Sequence, residues 1–90
     1  MSALEEEALR WLEYGRSDLE AAEELMGKAD SYPRQVCFLA QQAAEKSLKA
    51  ALVVSAIPVP RTHDLDALCN LLPDRWSVKT QYPELAALSI

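Results

Sequence analysis

VCFLAQQAAEKSLKAALVV, residues 36–54, decides how this chain folds. At about 100° per residue, Val36, Leu39, Ala40, Ala43, Ala44, Leu48, Ala50, Ala51 and Val54 cover more than half of a helix circumference. Gln41, Gln42, Glu45, Lys46 and Lys49 share the remaining side. A helix that apolar is expected at the centre of its domain. Once enclosed, its polar band must find partners, because a buried group left unpaired costs about 1–3 kcal/mol. That band is where function is sought.

Two further helices are read outward from this one. Towards the N-terminus, Ser2 stands three residues before Glu5, a capping-box arrangement that opens a helix. Leu4, Ala8, Trp11, Leu12, Gly15, Leu19, Ala22, Leu25 and Met26 then recur at helical spacing, predicting a long amphipathic helix over about 3–26. Gly15 falls on the apolar arc, where its use is close approach to a neighbour or a kink. Gly27 to Ser31 is a short polar connection, so this helix and the central one are antiparallel neighbours. Pro33 opens the central helix at a first-turn position, where its missing N–H does no harm, and the helix runs to about residue 55. Ile57-Pro58-Val59-Pro60 cannot continue it, since each Pro removes a donor and biases its predecessor to extended backbone.

Thr62 reads as the N-cap of a third helix, about 63–72, with Asp64 and Asp66 in its first turn and Leu65, Leu68, Cys69 and Leu72 on one face. Residues 74–81 read as a loop in which Trp76 covers the end of the bundle. Pro83 starts a last helix, 83–90, hardly two turns long. The expectation is one all-α domain over 1–90, an antiparallel helical bundle, and a chain that stops before its last helix is finished.

Composition narrows the class of function. Half of the 90 residues are apolar and Gly is scarce, which favours helix over sheet. A formal charge of −5 leaves no global basic field to gather nucleic acid, so any anion or RNA contact rests on a local cluster. Cys37 and Cys69 are too far apart in sequence for a metal or redox motif and are expected as buried, reduced thiols. The acidic start, Glu5-Glu6-Glu7, is unlike a signal peptide. No apolar run approaches the ~20 residues of a membrane span, and a cytoplasmic setting without a membrane partner is expected.

Within the polar band, Gln41, Glu45 and Lys49 follow at i, i+4, as do Gln42 and Lys46. One reading makes Glu45–Lys49 an ordinary surface ion pair. The other makes Lys46 and Lys49, with Gln42 as an amide reader, a small pocket for a nucleotide phosphate or RNA backbone. Asp18 is either an edge residue reaching water or a carboxylate turned inward to a basic partner, with Lys46 and His63 as the choices. His63, the single histidine, stands at a helix start that disfavours the imidazolium. A neutral ring donating to a carboxylate or carbonyl is expected there. Arg61 lies two residues earlier and can present its guanidinium to the same region. No Gly-rich phosphate loop is present, and one His with scattered acids makes no metal site.

Three stretches together carry a resemblance: Ser17-Asp18-Leu19-x-x-Ala22; Cys37-Phe38-x-Ala40-Gln41-Gln42-Ala43-x-Glu45-Lys46-x-x-Lys49-Ala50; and Pro60-x-Thr62-His63-Asp64-Leu65-x-x-Leu68. In order and spacing they resemble the HEPN family, the higher eukaryotes and prokaryotes nucleotide-binding domain, over about Trp11 to Leu72. The resemblance implies a helical bundle related to nucleotidyltransferase substrate-binding domains, often dimeric and found beside a minimal nucleotidyltransferase, with proposed nucleotide binding. Many such pairs resemble toxin–antitoxin modules, and some members are metal-independent ribonucleases. Those place an Arg ahead of a His with about four to six residues between them. Here Ala56, Ile57 and Pro58 occupy the corresponding positions ahead of His63, which argues against ribonuclease activity. Tyr82-Pro83-Glu84-Leu85 resembles the start of the family's next helix, whose Arg-Tyr-Pro continuation is missing; truncation or cover by a partner is the expectation.

The function expected is therefore a nucleotide- or RNA-associated binding module, a homodimer working with a nucleotidyltransferase-type partner. Gln42, Lys46, Lys49 and His63 are its binding residues, supported by Asp18, Glu45 and Arg61. No catalytic residue, metal or resident cofactor is expected, with a nucleotide such as ATP as the kind of ligand. A non-catalytic interaction or dimerisation module is the alternative, and a ribonuclease toxin the second.

Overall fold

The structure, a computed structural model, describes residues 1–28 and 32–73. It is all-α: α1 spans Ala3–Met26, α2 Pro33–Val54 and α3 Leu65–Leu71, with no strand among the described residues. At the start of α1, Ser2 Oγ accepts from the Glu5 N–H while the Glu5 carboxylate accepts from the Ser2 N–H, which closes the capping box. α2 begins at Pro33, whose ring fixes a helical φ where no donor is needed.

The two long helices run antiparallel. Ala8, near the start of α1, packs with Ala50 and Val53 near the end of α2, and Gly15 lies against Ala43, Lys46 and Ser47. At the other end, Leu25 shares a surface recess with Arg34, Gln35, Phe38 and Leu39. The seam on α1 is a heptad. Its buried positions are the small residues Ala8, Gly15 and Ala22, alternating with the half-buried Trp11, Asp18 and Leu25. A Cβ on Gly15 would stand 3.3 Å from the Ala43 carbonyl oxygen, so the glycine serves close approach of the two backbones. Leu4, Leu12, Leu19 and Met26, read with that seam from spacing, are exposed instead. The seam made of small side chains is narrow, so residues one position round it reach water.

α3 packs across the second half of α2. Leu48 and Leu52 meet Leu65, Leu68 and Cys69, with Ile57, Val59 and Leu72 at the margin. Leu52, Leu65 and Leu68 are fully buried, each contributing roughly 1.5–3 kcal/mol of transfer free energy. Two helices thus cover α2 only from Glu45 onward. In its first half Cys37 and Phe38 are exposed, so among the described residues α2 is covered by two helices along one half and by one along the other. The expectation of a buried Cys37 is corrected: the thiol is exposed, since among the described helices α3 packs only further along α2, while Cys69 is buried in the α2–α3 contact.

α2 ends at Val54 through a 6→1 bond from Ile57 N–H to the Leu52 carbonyl and a 5→2 bond from Ala56 N–H to the Val53 carbonyl, a Schellman closure. Ala56 takes the left-handed φ of 59° that this closure requires. α3 is shorter than the residues 63–72 expected, and its N-cap is Asp64 rather than Thr62. The Asp64 carboxylate accepts from the N–H groups of Asp66 and Ala67, and Thr62 Oγ1 accepts from the Asp64 N–H ahead of the helix. A carboxylate two residues closer to the helix reaches its orphan donors. The loop expected at 74–81 with Trp76, the helix at 83–90 and residues 29–31 of the first connection lie outside the described residues.

Candidate functional site

Glu45 is the hub. α2 carries it at the point where α3 begins to cover the helix, and its side chain is 4% exposed. One carboxylate oxygen, Oε2, accepts from Lys49 Nζ at 3.0 Å, and the other, Oε1, lies 2.9 Å from His63 Nδ1. Lys49 is one turn further along the same face, 9% exposed, and its Nζ sits 5.5 Å from the centroid of the Trp11 ring. The ammonium is therefore held between a carboxylate and an aromatic face, two partners that offset its removal from water. Glu45–Lys49 is a buried pair and not the surface pair that its i, i+4 spacing equally allows.

His63 comes from the segment that leads into α3. The Pro58–Pro60 stretch turns the chain back along α2, and the Asp64 cap fixes where the helix starts, which sets the ring opposite Glu45. A carboxylate accepts, so Nδ1 donates, and the neutral ring offers Nε2 as an acceptor. The side chain is 80% exposed, and the ring has no second partner among the described residues. Its orientation is set from below by a buried carboxylate while the opposite edge faces solvent. Such a ring presents a hydrogen-bonding atom in a defined direction, to a ligand or to a proton in transfer.

Asp18 is turned inward. Its Oδ2 accepts from Lys46 Nζ across the α1–α2 seam, and both side chains are about a fifth exposed. The basic partner is thus Lys46 and not His63. Gln42 lies one turn before Glu45 on the same side and is half-buried, without a hydrogen-bond partner among the described residues. Arg61 is exposed. The structure therefore joins Glu45, Lys49 and His63 in one network, joins Asp18 to Lys46 in a second, and leaves Gln42 and Arg61 outside both.

The two networks are charge-balanced within themselves, one carboxylate to one ammonium. Of the residues singled out for binding, Arg61 and, when protonated, His63 lie outside that balance. Among the described residues no group of three His, Cys, Asp or Glu side chains could hold a metal ion, and no helix is long and apolar enough to cross a membrane.

Trp11 and Tyr14 are not among the site residues expected from sequence: helical spacing puts Trp11 on the apolar stripe, and only the fold shows its ring under a buried ammonium. The available signal was the run Arg10-Trp11-x-x-Tyr14, a cation and two aromatic rings within one helical turn.

Comparison with known proteins yields a family model, described as HEPN domain, that matches residues 8–88. No curated protein sequence and no solved structure matches the chain.

Proposed function

Because the chain belongs to the HEPN domain family, we propose that it is a nucleotide- or RNA-associated binding module. In this reading it acts as a homodimer beside a nucleotidyltransferase-type protein, in the manner of a toxin–antitoxin pair. The observation that carries the binding half is His63, a ring aligned by buried Glu45 yet open to solvent along its other edge. In its protonated form His63 keeps Nδ1–H on Glu45 and donates Nε2–H to a phosphate oxygen, and Arg61 donates beside it. Gln42 reads the ligand from the same face of α2, and Asp18–Lys46 and Glu45–Lys49 keep the floor rigid and neutral. The family membership supports the nucleotidyltransferase half.

Isothermal titration calorimetry with ATP and with a short single-stranded RNA tests this. His63→Ala is expected to weaken binding on the order of ten-fold or more, the loss of one hydrogen bond to a charged group. Lys46→Ala weakens it too, because it leaves the Asp18 carboxylate uncompensated beside an anionic ligand. Absence of heat at millimolar nucleotide overturns the proposal.

A second reading, an interaction module without a nucleotide, is favoured by an apolar groove of about 360 Å³ between α1 and α2, which Leu9, Leu12, Ala50, Ala51 and Val54 help to line. Co-purification with a nucleotidyltransferase that survives Lys46→Ala and His63→Ala would select it. RNA degradation that disappears in His63→Ala would instead make the chain a ribonuclease, with Glu45 orienting the base.

A further inference from the structure

We infer that the ligand is held by its base as well as by its phosphate, and that Trp11 and Tyr14 of α1 form a stacking subsite for a nucleobase. The inference rests on the binding role proposed above and names the ligand chemistry that this role requires.

Arg10, Trp11 and Tyr14, with Glu7, line a shallow recess of about 230 Å³ on α1. That is below the roughly 300–1,000 Å³ of pockets that enclose a drug-sized molecule, so the recess admits one flat ring and leaves the rest of a nucleotide outside. Two aromatic side chains three residues apart on a helix are neighbours, and each base has a π-face that stacks on such a ring irrespective of sequence.

Trp11 is unusually well fixed for a platform. It packs on the cluster of Ala8, Ala50 and Val53, and the buried Lys49 ammonium stands over its ring. Little rotamer freedom is left to lose when a ligand arrives. Tyr14 is 62% exposed, with no hydrogen-bond partner among the described residues, so its ring is open to a stacked base. Charge divides the labour. Glu7 repels a phosphate from the recess while accepting from the amino or imino edge of a base, and Arg10 stacks or meets the sugar–phosphate as it leaves.

The recess and His63 belong to one connected arrangement. Trp11 is linked to Lys49 at 5.5 Å, Lys49 to Glu45 at 3.0 Å and Glu45 to His63 at 2.9 Å. A base on Trp11 and a phosphate at His63 and Arg61 are thus held by two ends of a single network. A bare phosphate would use only one end.

The test uses the full chain carrying Trp76→Phe, in which Trp11 is the sole tryptophan of the two. Its emission is followed during titration with AMP, GMP, a short single-stranded oligoribonucleotide, ribose 5-phosphate and inorganic phosphate. Saturable quenching by the base-bearing ligands, absent with ribose 5-phosphate and phosphate, is expected. Tyr14→Ala should weaken these ligands about ten-fold or more, the usual size of a lost base–aromatic contact, and Tyr14→Phe should retain them. Mononucleotides binding as tightly as the oligomer identify a free nucleotide as the source of the base; oligomer binding alone identifies single-stranded RNA. Calorimetric nucleotide binding with no change in Trp11 emission, or with Tyr14→Ala binding normally, overturns the stacking subsite while leaving the proposed function standing. Absence of calorimetric binding to any of them overturns both.

Discussion

Glu45 shows how much a single side chain carries here. Its carboxylate is buried, holds one ammonium and aligns one imidazole, so its loss leaves Lys49 charged and uncompensated in the interior. Breaking such a pair from one side costs about 3–5 kcal/mol, whereas replacing both partners by apolar groups of similar volume is often close to neutral. Glu45→Ala is therefore expected to lower the urea midpoint by a large fraction of the total stability of so small a domain. Glu45→Leu combined with Lys49→Met recovers most of the loss. A single-variant cost below about 1 kcal/mol, the range of exposed pairs, would show that the pair is solvated. The i, i+4 spacing made this partnership visible in the sequence, but spacing is identical for a surface pair and a buried one. For Asp18, 28 residues from Lys46, local spacing could only name two basic partners, and the packing of α1 on α2 chose between them.

Among the elements, the end of α2 shows local rules acting together with a long-range contact. Pro58 and Pro60 do prevent the helix from continuing. The chain leaves it earlier, by the Schellman closure that puts Ala56 at a φ of 59°. A left-handed backbone costs a residue with a Cβ about 1–2 kcal/mol, part of which is offset in the unfolded state, where glycine loses more freedom. Ala56→Gly is accordingly expected to stabilise the protein by about 0.5–1 kcal/mol, raising the thermal midpoint by a few degrees. A fall in midpoint on calorimetric scanning would show that the closure is not strained. The closure is kept because Ile57, just beyond it, packs against the Leu48–Leu52–Leu65–Leu68 cluster. That long-range gain could not be weighed from the residues around the turn. The α3 cap is similar: Thr62 and Asp64 are both good N-cap types, and the position of Leu65 in the core decided for Asp64.

For the molecule as a whole, the exposed apolar residues matter most. A chain of this size buries only about 60–65% of its unfolded surface, and here Leu9, Leu12, Leu19, Met26, Phe38 and Val54 all remain exposed. The proposed homodimer covers the groove bounded by Leu9, Leu12 and Val54. Sedimentation equilibrium should then show a concentration-dependent dimer that Leu12→Glu converts to monomer without loss of helicity. A wild-type chain that stays monomeric at high micromolar concentration would remove this part of the proposal.

The identity of α1, α2 and α3, the antiparallel pairing of α1 with α2 and the polar band of α2 were determined by the sequence alone, whereas the choice between close approach and a kink at Gly15 fell to the packing of α1 on α2. The former follow from periodicity, capping chemistry or a short connection, which are local. Which members of that band are buried, that Trp11 underlies Lys49, that Cys37 faces solvent and that His63 leans on Glu45 were decided by tertiary structure alone. Those outcomes depend on how far α3 reaches along α2, a contact between segments whose spacing in the chain does not encode their spacing in the fold.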